Sequence, residues 1–82
     1  MTKPRFLNRW CEADTGEPQT KPFQTKGLAF GHARRMARET QGPATVDHEH
    51  PVSDASPNWA VVERWEFTPD GRVRRVIKPE TV

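Results

Sequence analysis

The sequence has few of the residues from which a large hydrophobic core is built. Leu, Ile, Val and Phe account for 14 of the 82 residues, or 17%, and there is no Tyr. Such a low fraction is typical of disordered chains, but a net charge of +2 is too small to keep this chain unfolded. Three Trp and four Phe add aromatic area. We therefore predict one small domain over residues 1–82 with a thin, aromatic-rich core and disordered ends near 1–4 and 79–82.

Cysteine is nearly absent as well, because Cys11 is the only one. A single thiol forms no internal disulfide and excludes a zinc site of several thiolates. No apolar run approaches the ~20 residues of a membrane-spanning helix, and no signal-peptide-like apolar stretch follows residues 1–5. We expect a cytoplasmic protein without a membrane partner. The small core leaves no space for a sizeable cofactor, so none is expected.

The first half of the chain predicts a hairpin followed by a helix. Residues 5–13 and 21–25 are typical of two strands joined by the turn residues 14–18, and two prolines confine the second strand to a sheet edge. Thr25 is placed to cap a helix over 26–41. Its apolar positions form one alanine-rich face, and Gly42 is expected at its exit.

The second half predicts three strands in a meander. Residues 44–50 and 58–67 alternate, a loop covers 51–58, and Pro69–Gly71 predict a tight turn into a last strand over 72–78. The alternation places Trp59, Val61, Trp65 and Phe67 on one face, and Val73 and Ile77 together. The predicted fold is α+β, a two-layer sandwich with one helix on an antiparallel sheet of three to five strands.

Charge is segregated along the chain. Residues 1–10, 26–41 and 71–82 each carry +3, whereas residues 42–70 carry −5. Three arginines crowd the exposed helix face, and three more lie on the last strand. The candidate partner-binding residues are Arg34, Arg35, Arg38, Arg72, Arg74 and Arg75. Such clusters fit an acidic protein surface or phosphates, although a solvated helix face and a charged sheet edge that resists aggregation explain them too.

Sites for catalysis or metal are weakly indicated. His48 and His50 are two apart on a strand, so both rings point to one face, with Cys11 or His32 as a distant third ligand. No accompanying metal-binding motif is present, and we expect two surface histidines. A Cys11–His32 nucleophile pair is also conceivable, but Cys11 is predicted to be a small buried hydrophobe. Neither catalytic nor metal residues are assigned, and no enzyme is expected.

The aromatic residues favour a core over a nucleic-acid surface. Bases of single strands stack on exposed rings. Here Trp59, Trp65 and Phe67 are predicted to pack under the helix, which leaves Trp10 or Phe23 as the exposed ring. An exposed aromatic beside arginine is typical of a protein-binding hot spot.

The order of turn, capped helix and hairpin resembles short proteins of phages, prophages and other mobile elements. The resemblance is carried by residues 14–17, 25–42 and 59–77. It implies a protein that binds and blocks a host macromolecule, of the anti-CRISPR or polymerase-inhibiting kind, and it assigns no functional residue.

The sequence therefore predicts a non-enzymatic module that docks on another protein with an acidic surface, as a regulator or inhibitor of phage type. The alternative is a nucleic-acid-binding protein that uses the same basic residues, and a third hypothesis is a metal-assisted hydrolase at His48 and His50. The acidic segment 42–70 disfavours nucleic acid, because a dedicated nucleic-acid binder has a broad basic face. A monomer and a homodimer are both compatible with the sequence.

Overall fold

One helix packs against a five-stranded antiparallel sheet in the computed structural model, which describes residues 4–52 and 58–78. The elements are β1 (Arg5–Cys11), β2 (Pro18–Phe23), α1 (Lys26–Thr40), β3 (Ala44–Pro51), β4 (Trp59–Phe67) and β5 (Val73–Ile77). The strand order is β2-β1-β3-β4-β5. This confirms the predicted α+β two-layer fold. We call the side that carries α1 the helix face and the opposite side the open face.

The N-terminal hairpin confirms the prediction in outline but not in its bounds. β2 begins at Pro18, three residues before the predicted start, and it lies at the edge of the sheet as its prolines require. The predicted disordered ends fall largely outside the described residues. Of the predicted loop over 51–58, residues 53–57 lie outside them too, and Pro51 belongs to β3.

The helix begins where the sequence predicts. The Thr25 hydroxyl accepts a hydrogen bond from the Leu28 amide at 3.3 Å, which satisfies one of the free amides of the first turn. Its end differs by one residue from the prediction, because Gln41, not Gly42, adopts the left-handed conformation with φ 55°. The Gln41 amide side chain donates to the Arg38 carbonyl at 2.6 Å and so helps hold this turn.

The core lies between the alanines of α1 and the middle of the sheet. Ala29, Ala33 and Ala37 are fully buried, so helix and sheet approach closely. Phe30 reaches down from the helix and contacts Trp65 and Phe67 edge-to-face, each at 5.0 Å between ring centroids. These contacts confirm that the helical alanine face and the last aromatics of β4 form the core.

A bulge in β4 overturns the predicted face of its first residues. The pairing of β3 and β4 shifts by one residue at Val62. A one-residue shift moves every following side chain to the other face of a sheet. Trp59 and Val61 therefore lie on the open face, while Trp65 and Phe67 stay under the helix. The prediction that all four share the core face is wrong.

A second bulge separates two residues of β5 that the alternation had placed together. The pairing with β4 shifts at Val76, so Val73 pairs with Phe67 on the helix face while Ile77 pairs with Arg64 on the open face. The tight turn before β5 is as predicted, with Gly71 at φ 89° and its amide bonded to the Thr68 carbonyl at 3.0 Å.

Within the two described ranges, no helix is both long enough and apolar enough to cross a membrane.

Candidate functional site

The predicted helix arginines are all exposed on the outer side of α1. Arg35 lies 4.0 Å from Glu39, a distant i,i+4 pair between two side chains that are each more than half exposed. The Arg34 guanidinium lies over the Phe67 ring, 5.8 Å from its centroid. Within the described residues, neither Arg34 nor Arg38 forms an ion pair with a carboxylate. Their charge is therefore available to a partner.

A shallow cleft of about 310 Å³ joins these two arginines to the β4–β5 turn. It is lined by Arg34, Arg38 and the turn residues Thr68, Pro69, Asp70 and Gly71. The Thr68 hydroxyl donates to Asp70 and lowers the pKa of that carboxyl, which also accepts from the Arg72 amide at 3.4 Å and lies 3.3 Å from the Arg72 guanidinium. As far as the described residues show, the cleft thus has two guanidinium groups without a carboxylate partner and one carboxylate that already has partners.

The three arginines of the second predicted set differ from the helix set, because each has a carboxylate partner. Arg72 pairs with Asp70 at 3.3 Å, Arg74 with Glu66 at 3.2 Å and Arg75 with Glu63 at 3.0 Å. The register also places Arg74 on the open face and Arg75 on the helix face. The structure therefore does not unite the six predicted residues in one patch.

A charged cluster lies on the open face, where the sequence patterns predicted none. Asp47 is fully buried and Glu49 nearly so, although no described element covers this face. Three arginines from the neighbouring strands cover the two carboxylates. We call this set the open-face network, and its members are Arg5, Arg9, Asp47, Glu49 and Arg64.

The geometry of the open-face network is close to bidentate at its centre. Arg64 donates from Nε and Nη2 to the two Asp47 carboxylate oxygens at 2.5 and 2.9 Å. These hydrogen bonds raise the pKa of Arg64. Arg9 lies 3.5 Å from Asp47 and 4.0 Å from Glu49, and joins the two acids.

Arg5 completes the network and also contacts an aromatic ring. Its Nε donates to Glu49 at 2.8 Å, and its guanidinium lies over the Trp59 ring at 3.9 Å from the centroid. The sequence holds one sign of this network. Arg5 and Arg9, like Asp47 and Glu49, are an even number of residues apart and therefore share one face of a strand. This spacing was insufficient because the partners lie on strands about 40 residues apart, and sequence periodicity does not give strand order.

The two histidines of β3 are close together, as predicted. Their ring centroids are 4.7 Å apart, and His48 stacks on Phe6 at 4.6 Å. Burial lowers the pKa of His48, and the neighbouring His50 lowers it further. No group of three or more candidate ligands for a metal ion occurs among residues 4–52 and 58–78. The described residues therefore offer the metal-assisted hydrolase hypothesis no third ligand.

The predicted burial of Cys11 is wrong, because its side chain is exposed near the end of β1. Strand alternation directs it to the open face, whereas His32 lies on α1 against the helix face. The two side chains are thus on opposite sides of the sheet and do not form a nucleophile pair.

His32 instead belongs to a buried polar contact between α1 and β1. The fully buried Asn8 donates from Nδ2 to the Ala29 carbonyl at 2.8 Å and lies 3.0 Å from His32 Nδ1. Burial, followed by Lys21 and Arg35, lowers the pKa of His32. Trp10 and Phe23, one of which was expected to be exposed, are both half-buried against this ring at 4.8 and 5.0 Å.

No protein-family model, no curated protein and no solved structure matches this chain. Its function is therefore inferred from the contacts, burial and charges of its own residues.

Proposed function

We propose that this chain is a small, non-enzymatic binding module that docks on an acidic surface of another protein through Arg34, Arg35 and Arg38. The observation that carries the proposal is the lack of carboxylate partners for Arg34 and Arg38 within the described residues. Both lie on one exposed helix face and line the same cleft. Unpaired guanidinium groups attract an acidic partner over a longer range than groups that already have one.

The helix holds these arginines on a rigid support. Three fully buried alanines fix α1 against the sheet, so the backbone beneath the arginines does not have to become ordered on binding. The Phe67 ring lies beneath the Arg34 guanidinium. Less conformational entropy is then lost when a partner carboxylate enters the cleft.

The β5 arginines rank second as an electrostatic surface. Their three carboxylate partners lie within 3.3 Å, so the positive charge that this hairpin offers to a protein docking on either face is partly compensated. The same compensation weighs against the nucleic-acid alternative, because a phosphate backbone is bound best by a broad, uncompensated basic face. Regulation or inhibition of a host complex, which the resemblance to mobile-element proteins implies, is the cellular role that this docking would serve.

The test is a pull-down from a bacterial lysate with the tagged chain and with R34E/R35E/R38E, each with and without nuclease. The expected result is a discrete protein that the wild type retains after nuclease treatment and the variant does not. R34K/R35K/R38K keeps the charge of the helix face and serves as the control, which is expected to retain the protein. Circular dichroism of both variants verifies folding.

Two outcomes contradict the proposal. Equal capture by a folded R34E/R35E/R38E variant removes the helix face from the interface. Capture that disappears with nuclease favours the nucleic-acid alternative, which further requires affinity to fall steeply with salt, with a log–log slope of about −0.9 per phosphate contacted on duplex DNA.

A further inference from the structure

The two edge strands of the sheet differ in the backbone groups that they present outward. β2 forms one edge and β5 the other. In an antiparallel hairpin, residues whose amides point to the neighbouring strand alternate with residues whose amides point away. One backbone hydrogen bond at the turn before an edge strand therefore shows which amides of that strand point toward its neighbour and which point outward, as far as the next bulge.

The outer edge of β2 lacks two of its hydrogen-bond donors. The Glu12 amide donates to the Glu17 carbonyl at 2.9 Å, so Glu17 faces β1 and the next residue, Pro18, faces outward. The same alternation directs Pro22 outward. Proline has no amide hydrogen, and only Thr20 between them keeps an outward donor. This edge is poorly suited to pairing with another strand.

The outer edge of β5 has no such gap. The Thr68 amide donates to the Arg72 carbonyl at 3.0 Å, so Arg72 and Arg74 face β4 while the amides of Val73 and Arg75 face outward. No proline interrupts β5, and no Cα atom of α1 lies within 8 Å of one in β5. In the part of the chain that the structure describes, no other strand pairs with this edge.

The side chains of β5 leave its outer backbone accessible. Arg74 and Arg75 form their ion pairs with Glu66 and Glu63, which lie on β4, so both guanidinium groups are directed away from the outer edge. Val73 is 40% exposed and Val76 is 42% exposed. The long charged side chains that protect many sheet edges therefore do not shield this one.

We propose that β5 receives an extended, acidic strand of a partner protein, which adds to the sheet through the backbone groups of Val73 and Arg75. Strand addition supplies affinity through the main chain and specificity through the flanking side chains. This interface rests on the proposed docking function and adds the way in which the partner is held.

Charge selects the occupant. The strand and its flanks carry only cations, namely Arg72, Arg74, Arg75 and Lys78. Antiparallel pairing with a second copy places arginine opposite arginine, and like charges directly opposite destabilise a sheet. The glutamates that pair with Arg74 and Arg75 lie on β4, one strand farther from a guest at this edge, so they offset the charge of the two arginines only in part. A guest with acidic side chains is therefore preferred.

The interface is continuous with the cleft of the helix arginines. The turn over 68–71 lines that cleft and leads directly into β5. One acidic partner can therefore place a strand along β5 and carboxylates between Arg34 and Arg38.

Amide hydrogen exchange, measured by NMR on the full chain, tests the edge directly. The probe is a short synthetic peptide of alternating glutamate and valine, and the control is its lysine–valine counterpart. At about ten times the peptide Kd, exchange of the Val73 and Arg75 amides is expected to slow about tenfold. The amides of Arg72 and Arg74 already face β4 and are expected to stay unchanged.

Two variants separate the backbone contribution from the charge contribution. V73P removes one outward donor and is expected to abolish protection by the peptide, whereas T20P on the opposite edge is expected to leave it intact. The exchange E66R/R74E keeps the ion pair between β4 and β5 but reverses the charge on the edge strand. It is expected to weaken binding of the glutamate peptide and strengthen binding of the lysine peptide. This test does not depend on whether V73P folds.

Three results overturn the proposal: no protection at millimolar glutamate peptide, equal protection by both peptides, or protection that rises with chain concentration alone, which identifies a second copy as the occupant.

The helix surface is tested separately by R34E/R35E/R38E. Peptide protection that survives in this variant, together with lost capture from the lysate, leaves both proposals standing. If the glutamate peptide does not protect the Val73 and Arg75 amides of the wild type, but the wild type still captures a protein from the lysate, only the β5 interface is refuted.

Discussion

The two faces of the sheet bury their residues by different means. On the helix face, alanines of α1 lie against Val46, Trp65 and Phe67, and all of these residues are at least 93% buried. On the open face, no described element lies above the sheet, yet Asp47 is fully buried beneath arginine side chains. The aliphatic stems of arginine cover the surface while the guanidinium groups neutralise the acids.

The difference shows how a chain with few aliphatic residues closes a second sheet face. A buried, unpaired carboxylate is strongly unfavourable. Asp47 and Glu49 can therefore stay buried only because the arginines that cover them also pair with them. The helix face depends on apolar packing, in which there is no charge for salt to screen. The open face depends on charges, and its partly exposed arginines make it sensitive to ionic strength.

The largest effect is expected from the helix face. Phe67→Ala removes a fully buried ring that contacts Phe30 and Arg34, and such changes cost about 3–5 kcal/mol in the free energy of unfolding. Urea denaturation of the variant and wild type at low and high salt measures it. The loss is expected to be the same at both salt concentrations, and a loss below about 1 kcal/mol would place Phe67 outside the core.

The next largest effect is expected from the centre of the open-face network. Asp47→Asn keeps the size of the side chain but removes the charge that faces Arg64 and Arg9. Loss of a buried, charged hydrogen-bond partner costs about 1–3 kcal/mol. In contrast to Phe67→Ala, the destabilisation is expected to shrink as salt is added. Unchanged stability of Asp47→Asn would show that the charge of Asp47 does not hold the network together.

Acid is expected to weaken the helix face through its histidines. Burial lowers the pKa of His32 and His48 in the folded chain from the ordinary value of 6.5. The unfolded chain therefore binds these protons more readily, and their contribution to stability is complete above about pH 6.5 and lost as pH falls below it. Urea midpoints from pH 7.5 to 5 measure this loss.

Two substitutions identify the histidine responsible. His32→Gln and His48→Gln are each expected to flatten the dependence on pH between 7 and 5. His50→Gln is expected to flatten it less, because it removes only the secondary cause of the lowered His48 pKa. An unchanged slope in both His32→Gln and His48→Gln would assign the acid sensitivity elsewhere.

The smallest effect is expected from the exposed ion pair of the open face. Glu66→Gln removes the partner of Arg74, whose side chain is 73% exposed, and surface pairs contribute about 0.2–1 kcal/mol. Asp47→Asn and Glu66→Gln both neutralise a carboxylate opposite an arginine. A difference between their effects on the free energy of unfolding therefore reports the burial of the carboxylate. Equal destabilisation by the two substitutions would contradict the distinction between the network and its surroundings.

Much of the fold was predictable because its signals are local. Thr25 as the helix cap, the alanine face of α1 and the turn at Gly71 each depend on residues within one turn or a few positions. The candidate arginines of the helix were predictable for the same reason, since helical periodicity alone places them outside. The absence of a carboxylate partner for Arg34 and Arg38 among the described residues was not, because it depends on where the acids of other strands lie.

The sequence by itself determined the elements, their approximate bounds and the exposed charge of α1, because period, caps and turn residues act over short distances. The tertiary structure alone decided the strand order, the open-face network and the face on which Trp59 lies. These depend on pairing between distant segments, where a shift of one residue reverses every side chain that follows. The same pairing left β5 at an edge, with no strand of the described residues on its outer side.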